Sequence, residues 1–133
     1  MIKVAAAFTD KATEAQLLNR LHGEEDIRVK GFIVIPDVAR DVDKALAFLD
    51  KTLKSPPDVI IIDVAILREA AALDLPLVLE YARKLPLTRI IIVGERFHEQ
   101  KVIAMMKGGA RGFLLRERLD TDIIKCIRVV ARG

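Results

Sequence analysis

Residues 59–62 read Val-Ile-Ile-Ile and are followed by Asp63, and residues 90–93 read Ile-Ile-Ile-Val. Apolar runs of this length without polar alternation predict strands that are covered on both faces, as in the middle of a parallel sheet. The same kind of pattern, rich in β-branched residues, predicts five strands in all. They lie at residues 2–8, 27–35, 58–63, 89–94 and 111–115.

Segments with helical periodicity separate these strands. Their apolar side chains recur at spacings of three and four residues, which is typical of amphipathic helices. Five helices are predicted. The first begins near Asp10, the second carries Val42 to Leu53, and the third runs from Pro76 to the residue before Pro86. The fourth stops at Gly108 and Gly109, and the fifth carries Ile123 to Val130 after a cap at Asp120 or Thr121. The order (βα)5 predicts an α/β fold with a doubly wound, parallel, five-stranded sheet, because right-handed crossovers place helices on both faces.

Composition sets the class of protein. The chain has 133 residues, 52% of them hydrophobic, so we expect one globular domain over residues 1–133. No apolar run approaches the length of a membrane helix, the N-terminus does not read as a signal peptide, and Cys126 is the single cysteine. These features predict a soluble protein of the reducing cytoplasm with no membrane partner.

The candidate site lies where the strands end, because ligands of open α/β sheets bind beyond the carboxyl ends of the strands. Asp63 ends the most apolar strand and is expected at this edge. From the residues alone two interpretations stay open: a cap for the segment that follows, or a nucleophilic carboxylate that forms an acyl phosphate. His22 and His98 accompany no serine or cysteine with an orienting acid, so we predict no hydrolase and no enzyme.

Four segments carry a resemblance to a known family. Residues 57–63 (PDVIIID), 88–93 (TRIIIV), 106–115 (MKGGARGFLL) and 127–133 (IRVVARG) resemble the receiver domains of response regulators, and the last segment resembles those of the NarL/LuxR type. The resemblance implies a CheY-like, flavodoxin-like fold with strand order 2-1-3-4-5. It also implies a regulatory domain of a two-component transcription regulator that takes part in a phosphorelay.

The resemblance assigns roles to residues at the strand ends. Asp63 matches the phosphoacceptor, and Phe113 matches the aromatic switch residue. Gly94 stands where the family has a serine or threonine that binds the phosphoryl group, and Arg116 stands where it has a lysine. The serine or threonine hydroxyl is therefore absent at position 94, and arginine is not a like-for-like replacement for lysine at position 116.

The family's metal-binding acids are also replaced. Phe8 and Thr9 occupy their positions at the end of the first strand, and a phenyl ring supplies no ligand to a hard cation. Asp10 follows one residue late: with Asp63 it could approach a metal, or it caps the first helix, which is the interpretation we favour. We therefore expect no cofactor, no effective Mg²⁺ site and impaired or absent phosphorylation of Asp63, as in a pseudo-receiver.

The same resemblance predicts partners. It implies a homodimer through helix 4, strand 5 and helix 5, a sensor histidine kinase, and contact with DNA only through a helix-turn-helix domain that follows residue 133. Charged residues of the predicted dimer face are Lys107, Arg111, Arg118, Asp122, Lys125 and Arg128. An alternative from another class is a flavodoxin-like domain that binds or transforms a small ligand, with Phe8, Thr9 and Gly94 lining a pocket at the same edge.

Overall fold

A computed structural model describes residues 1–72 and 83–133. Within these ranges the domain has five strands and five α-helices of nine residues or more. The strands are β1 (Ile2–Phe8), β2 (Ile27–Val34), β3 (Val59–Asp63), β4 (Arg89–Gly94) and β5 (Ala110–Leu115). The helices are α1 (Lys11–His22), α2 (Val42–Lys54), α3 (Val64–Ala72), α4 (Glu99–Lys107) and α5 (Leu119–Ala131). Arg116–Arg118 form a short 3-10 turn between β5 and α5.

All strand pairs are parallel, and the order across the sheet is β2-β1-β3-β4-β5. This confirms the predicted doubly wound sheet and its strand order. The two apolar runs of β3 and β4 lie side by side, with Ile61 next to Ile91 in the register. Both side chains are fully buried, as expected for strands covered on both faces.

The helices divide into two layers. Leu17 and Leu21 of α1 join Ile123 and Ile127 of α5 in a core that covers one face of the sheet. Side chains of α2 and α3 cover the other face, together with the partly buried Met105 of α4. Because β1, β3 and β4 run parallel to one another, their carboxyl ends lie at the same edge of the sheet.

Helix α3 was not predicted from the sequence. It begins at Val64, directly after β3, with no glycine or proline between the two elements. An apolar strand that runs straight into an apolar helix shows no change of composition at the junction, which is why the pattern of residues 64–72 was missed. The helix predicted from Pro76 falls almost wholly outside the described residues.

Two predicted helix boundaries can be compared with the structure. Gly108 and Gly109 do end α4, and Gly109 has a φ of 122°, a conformation that glycine adopts without strain. The predicted cap at Asp120 or Thr121 is wrong, because α5 already begins at Leu119. Within the described ranges, no helix is long and apolar enough to cross a membrane.

Candidate functional site

Three strand ends bring polar side chains together at the carboxyl edge of the sheet. β1 is followed by Thr9 and Asp10, β3 ends in Asp63, and β5 is followed by Arg116. β1 pairs with β3, and β4 lies between β3 and β5, so the fold alone sets these side chains around Asp63. This is the edge at which the sequence predicts the candidate site.

Asp63 is fully buried and uses both carboxylate oxygens. The Ala65 amide donates a hydrogen bond to Oδ1 at 2.9 Å, so Asp63 caps the first turn of α3. Thr9 donates its hydroxyl to Oδ2 at 3.2 Å. The cap and the strand-end carboxylate, which were alternatives in the sequence, are thus combined in one side chain.

Arg116 supplies the positive charge of the site. Its Nη2 contacts Asp63 Oδ2 directly, and its Nη1 lies 3.3 Å from Glu95 Oε1 and 3.9 Å from Asp10 Oδ1. Its side chain is 27% exposed, whereas that of Asp63 is 1% exposed. One guanidinium therefore serves three carboxylates, the buried one most closely, and a buried charge is stable only when it is paired in this way.

Asp10 caps α1, as favoured by the sequence analysis. Its Oδ2 accepts a 2.9 Å hydrogen bond from the Thr13 amide, and the Thr13 hydroxyl donates to the same carboxylate. Burial alone would raise the pKa of Asp10, but these bonds and the nearby Arg116 charge outweigh it and lower the pKa below 3.8. The carboxylate is thus committed to the first turn of the helix.

Gly94 and Phe113 fit against each other. A Cβ added at Gly94 would lie 3.0 Å from Phe113 Cζ, 3.1 Å from Phe113 Cε2 and 3.5 Å from Val64 Cγ1. The ring of Phe113 thus fills the space that a side chain at position 94 would need. Its other side meets the exposed Phe97 edge to face, with ring centroids 6.1 Å apart.

The pocket predicted for the alternative function is not formed by the residues named for it. Phe8 is fully buried in the core beneath α1 and α5, and it is not directed to the site. Thr9 is bonded to Asp63, and the space at Gly94 is occupied by Phe113. The reason is the alternation of a strand: Phe8 and Thr9 face opposite sides of the sheet.

The predicted dimer-face residues separate into two groups. Arg118 pairs with Asp122 within one helical turn. Arg128 forms a bidentate contact with Asp26, both distances 2.9 Å, and reaches Glu24 at 3.1 Å, so it fastens α5 to the segment before β2. Lys107, Arg111 and Lys125 are exposed.

Two charged contacts were not predicted. Glu95 accepts from Arg116, and Asp26 accepts from Arg128. Arg128 and Asp26 are 102 positions apart in the chain, so no local pattern could reveal their contact. Across residues 1–72 and 83–133, no three His, Cys, Asp or Glu side chains are grouped as a metal would require.

No known family model matches the sequence, and no curated protein matches it. Solved structures do match. The signal receiver domain of the putative response regulator NarL from Mycobacterium tuberculosis is 21% identical, with 99% of this chain and 97% of that chain covered and a TM-score of 0.67. The isolated receiver domain of RcsB from Salmonella enterica serovar Typhimurium is 17% identical, with 100% and 90% covered and a TM-score of 0.76.

A third match carries a different description. A putative pilus assembly-related protein from Burkholderia pseudomallei is 22% identical, with 96% of this chain and 90% of that chain covered and a TM-score of 0.63. The domain is thus a doubly wound α/β protein in class. Its particular fold is that of the response-regulator receiver domains, and it covers the whole chain.

Replacement of Gly94 by alanine should destabilise the protein by about 1–3 kcal/mol, since the new methyl group would overlap the ring of Phe113. Gly31→Ala is the matched control, because a Cβ at Gly31 meets nothing within 4 Å. Urea unfolding would measure both changes. In the double variant Gly94→Ala/Phe113→Leu the cost should fall below the sum of the single costs. Equal stabilities of Gly94→Ala and Gly31→Ala would contradict the close contact.

Replacement of Asp10 by alanine should cost about 1 kcal/mol at pH 7, because α1 loses its cap, whereas Asp10→Asn should cost only a few tenths. The folded protein lowers the pKa of Asp10 below 3.8. The part of its contribution that depends on the negative charge is therefore present above that pH and is lost as the pH falls through the folded pKa. Urea titrations from pH 7 to 3 should show the difference between the wild type and Asp10→Ala narrowing below about pH 4. A constant difference across that range would assign the effect to something other than the carboxylate.

Proposed function

We propose that the chain is a regulatory, non-enzymatic receiver-like domain of a cytoplasmic response regulator, in which an ion pair between Arg116 and Asp63 takes the place of phosphorylation of Asp63. One observation carries the proposal: the guanidinium of Arg116 contacts the buried carboxylate of Asp63. The domain then works as a module that binds other proteins, with Asp63 kept paired to Arg116.

Access to Asp63 supports impaired phosphorylation. A carboxylate that attacks a phosphoryl donor needs an unshared oxygen and a path for the donor. Oδ1 accepts from Ala65, Oδ2 is shared by Thr9 and Arg116, and the side chain is 1% exposed. Attack on a donor therefore requires Arg116 to leave first, which would leave the Asp63 charge buried without a counter-ion.

The donor set also does not fit a magnesium ion. Mg²⁺ prefers an octahedron of oxygen ligands, several of them water. Asp63 and Asp10 both face the guanidinium, and Asp10 is committed to its helix cap. The position that a metal would share with Asp63 is filled by a fixed positive charge, so Arg116 supplies the electrostatic balance that a metal supplies elsewhere.

The Arg116→Ala variant tests this replacement. Loss of the Arg116 side chain should destabilise the protein by about 3–5 kcal/mol, because the Asp63 carboxylate stays buried without its partner. Millimolar Mg²⁺ should restore part of the melting temperature of this variant and leave the wild type unchanged, since only the variant has carboxylates free to bind the ion. Thermal unfolding with EDTA or Mg²⁺ is the measurement.

Arg118→Ala is the control for this experiment, because Arg118 lies in the same 3-10 turn but, among the described residues, pairs with the half-buried Asp122 and not with Asp63. It should cost less than about 1 kcal/mol and show no response to Mg²⁺. Mass spectrometry after incubation with acetyl phosphate should find wild-type Asp63 unmodified. A wild type that melts higher with Mg²⁺, or that gains a phosphoryl group on Asp63, would overturn the proposal.

The partner side of the proposal is a homodimer through α4, β5 and α5. Ile103 and Met106 are apolar residues of α4 that stay exposed, at 46% and 37%. Lys107, Arg111 and Lys125 are exposed cations of the three elements. A sensor histidine kinase is a second partner, recognised by docking without phosphoryl transfer. Contact with DNA would belong to a separate helix-turn-helix domain. The RcsB response regulator of Salmonella typhimurium, described for its conformational dynamism in DNA interaction, is matched over 63% of its length.

The dimer proposal predicts a mass that depends on concentration. In analytical ultracentrifugation, Ile103→Glu should remove association because it places a charge among the apolar side chains of α4. The matched change Leu46→Glu, at an apolar position of α2 that is 38% exposed, should leave it intact because α2 lies outside the proposed interface. A wild type that remains monomeric at the highest concentrations would refute the dimer.

A further inference from the structure

A cavity of about 260 Å³ opens beside the Asp63 site and has no role in the proposed function. It lies between α3, the loop after β4, and α4. Its floor is apolar and comes from Val64, Val102, Met105 and Phe113. These four side chains are partly buried, so they already exclude some water but stay reachable from outside. Small-molecule sites commonly combine such a floor with a few polar groups at the rim.

The rim carries an excess of positive charge. Arg68, Arg96 and Lys101 line the cavity and are exposed, and His98 lies among them. None of the three cations forms a hydrogen bond or ion pair with any residue in the described ranges. Elsewhere on this surface, Arg118 and Arg128 have carboxylate partners. Exposed cations without a partner among the described residues occur elsewhere on the surface, for example Lys107 and Arg111, but these three converge on one cavity.

Among the described residues that line the cavity, the one carboxylate does not cancel this charge. Glu95 lines the cavity, but its Oε1 lies 3.3 Å from Arg116 Nη1. Arg116 holds Glu95 toward the Asp63 site, although its single charge is shared with Asp63 and Asp10. Among the described lining residues, three cations face one carboxylate, so an excess of positive charge remains at the rim. Like charges held close together repel one another, and an anion that binds between them would relieve that repulsion.

We propose that this cavity binds a small organic anion, composed of a phosphate or carboxylate group joined to a flat apolar group. The anionic group is held by Arg68, Arg96 and Lys101. Each arginine offers several hydrogen-bond donors in a planar arrangement that matches the oxygens of a phosphate or carboxylate. The apolar group lies on the floor formed by Met105 and the Phe113 ring. The volume limits the occupant to a small molecule, because drug-sized ligands occupy about 300–1,000 Å³. The proposal does not depend on phosphorylation of Asp63.

Isothermal titration calorimetry with three probes tests the two halves of the site: phenyl phosphate, inorganic phosphate and phenol. Phenyl phosphate should bind at least tenfold more tightly than either fragment, because only it reaches both the cations and the floor. Benzoate, as a fourth probe, distinguishes a carboxylate from a phosphate. Phenyl phosphate that binds no better than inorganic phosphate would show a diffuse attraction of anions and overturn the proposal.

Paired variants locate the binding. Arg96→Gln/Lys101→Gln should weaken the binding of phenyl phosphate at least tenfold. Arg28→Gln/Lys44→Gln removes the same charge from exposed positions on β2 and α2 and should change the affinity less than twofold. Equal losses in both pairs would assign the effect to net charge and refute the site.

Two further variants complete the test. Val102→Phe should abolish binding by filling the floor without any change of charge, and circular dichroism would verify that it folds. Asp63→Asn should bind phenyl phosphate like the wild type, because the cavity does not use that carboxylate. The two proposals can therefore fail separately. Loss of phenyl phosphate binding would leave the pairing of Asp63 with Arg116 untouched, and phosphorylation of Asp63 would leave the binding of phenyl phosphate in the cavity untouched. Retained affinity in Val102→Phe would place the ligand elsewhere and contradict the proposal.

Discussion

The buried carboxylate of Asp63 is the constraint around which the edge of the sheet is organised. It ends the central strand β3, and the layers on both faces leave it with almost no water. A charge in that position is tolerable only with a counter-charge and full hydrogen bonding. The Ala65 amide, the Thr9 hydroxyl and Arg116 meet these requirements from three different parts of the chain.

Arg116 also connects the edge to its surroundings. Through Glu95 it reaches the loop after β4, and that loop carries Arg96, one of the cations of the adjacent cavity. Phe113 makes the second connection, because its ring fills the space at Gly94 and also forms part of the cavity floor. The closed carboxylate and the open cavity are thus neighbours that share one wall, although each has its own chemistry.

The sequence predicted the parts of the fold that depend on local pattern. The apolar runs of β3 and β4 indicated central strands, and Gly108-Gly109 indicated the end of α4. Helix α3 was missed because apolar residues continue from β3 across Asp63 with only that side chain as a stop signal. Local pattern identifies an element where composition changes at its ends, and it fails where two apolar elements adjoin.

The site was predicted less completely than the fold. Asp63, Arg116, Gly94 and Phe113 were identified through the family resemblance, and the Asp10 cap followed from its place before α1. What the resemblance did not predict was that Arg116 touches Asp63, because this depends on side-chain length across two strands. The fit of Phe113 to Gly94 depends on volume, which no spacing rule contains. The residues of the site were predictable, and their contacts were not.

The position of Arg116 in the chain has a consequence for how the domain assembles. Asp63 and Arg116 are separated by 53 positions, and Arg116 follows β5, an edge strand of the sheet and the last to be synthesised. An intermediate in which β1, β3 and β4 have joined without β5 must hold the Asp63 carboxylate with no counter-ion. That penalty disfavours partly assembled forms and makes docking of the last strand a condition for closing the core. A charge pair at the edge of the sheet thus makes folding more nearly all-or-none.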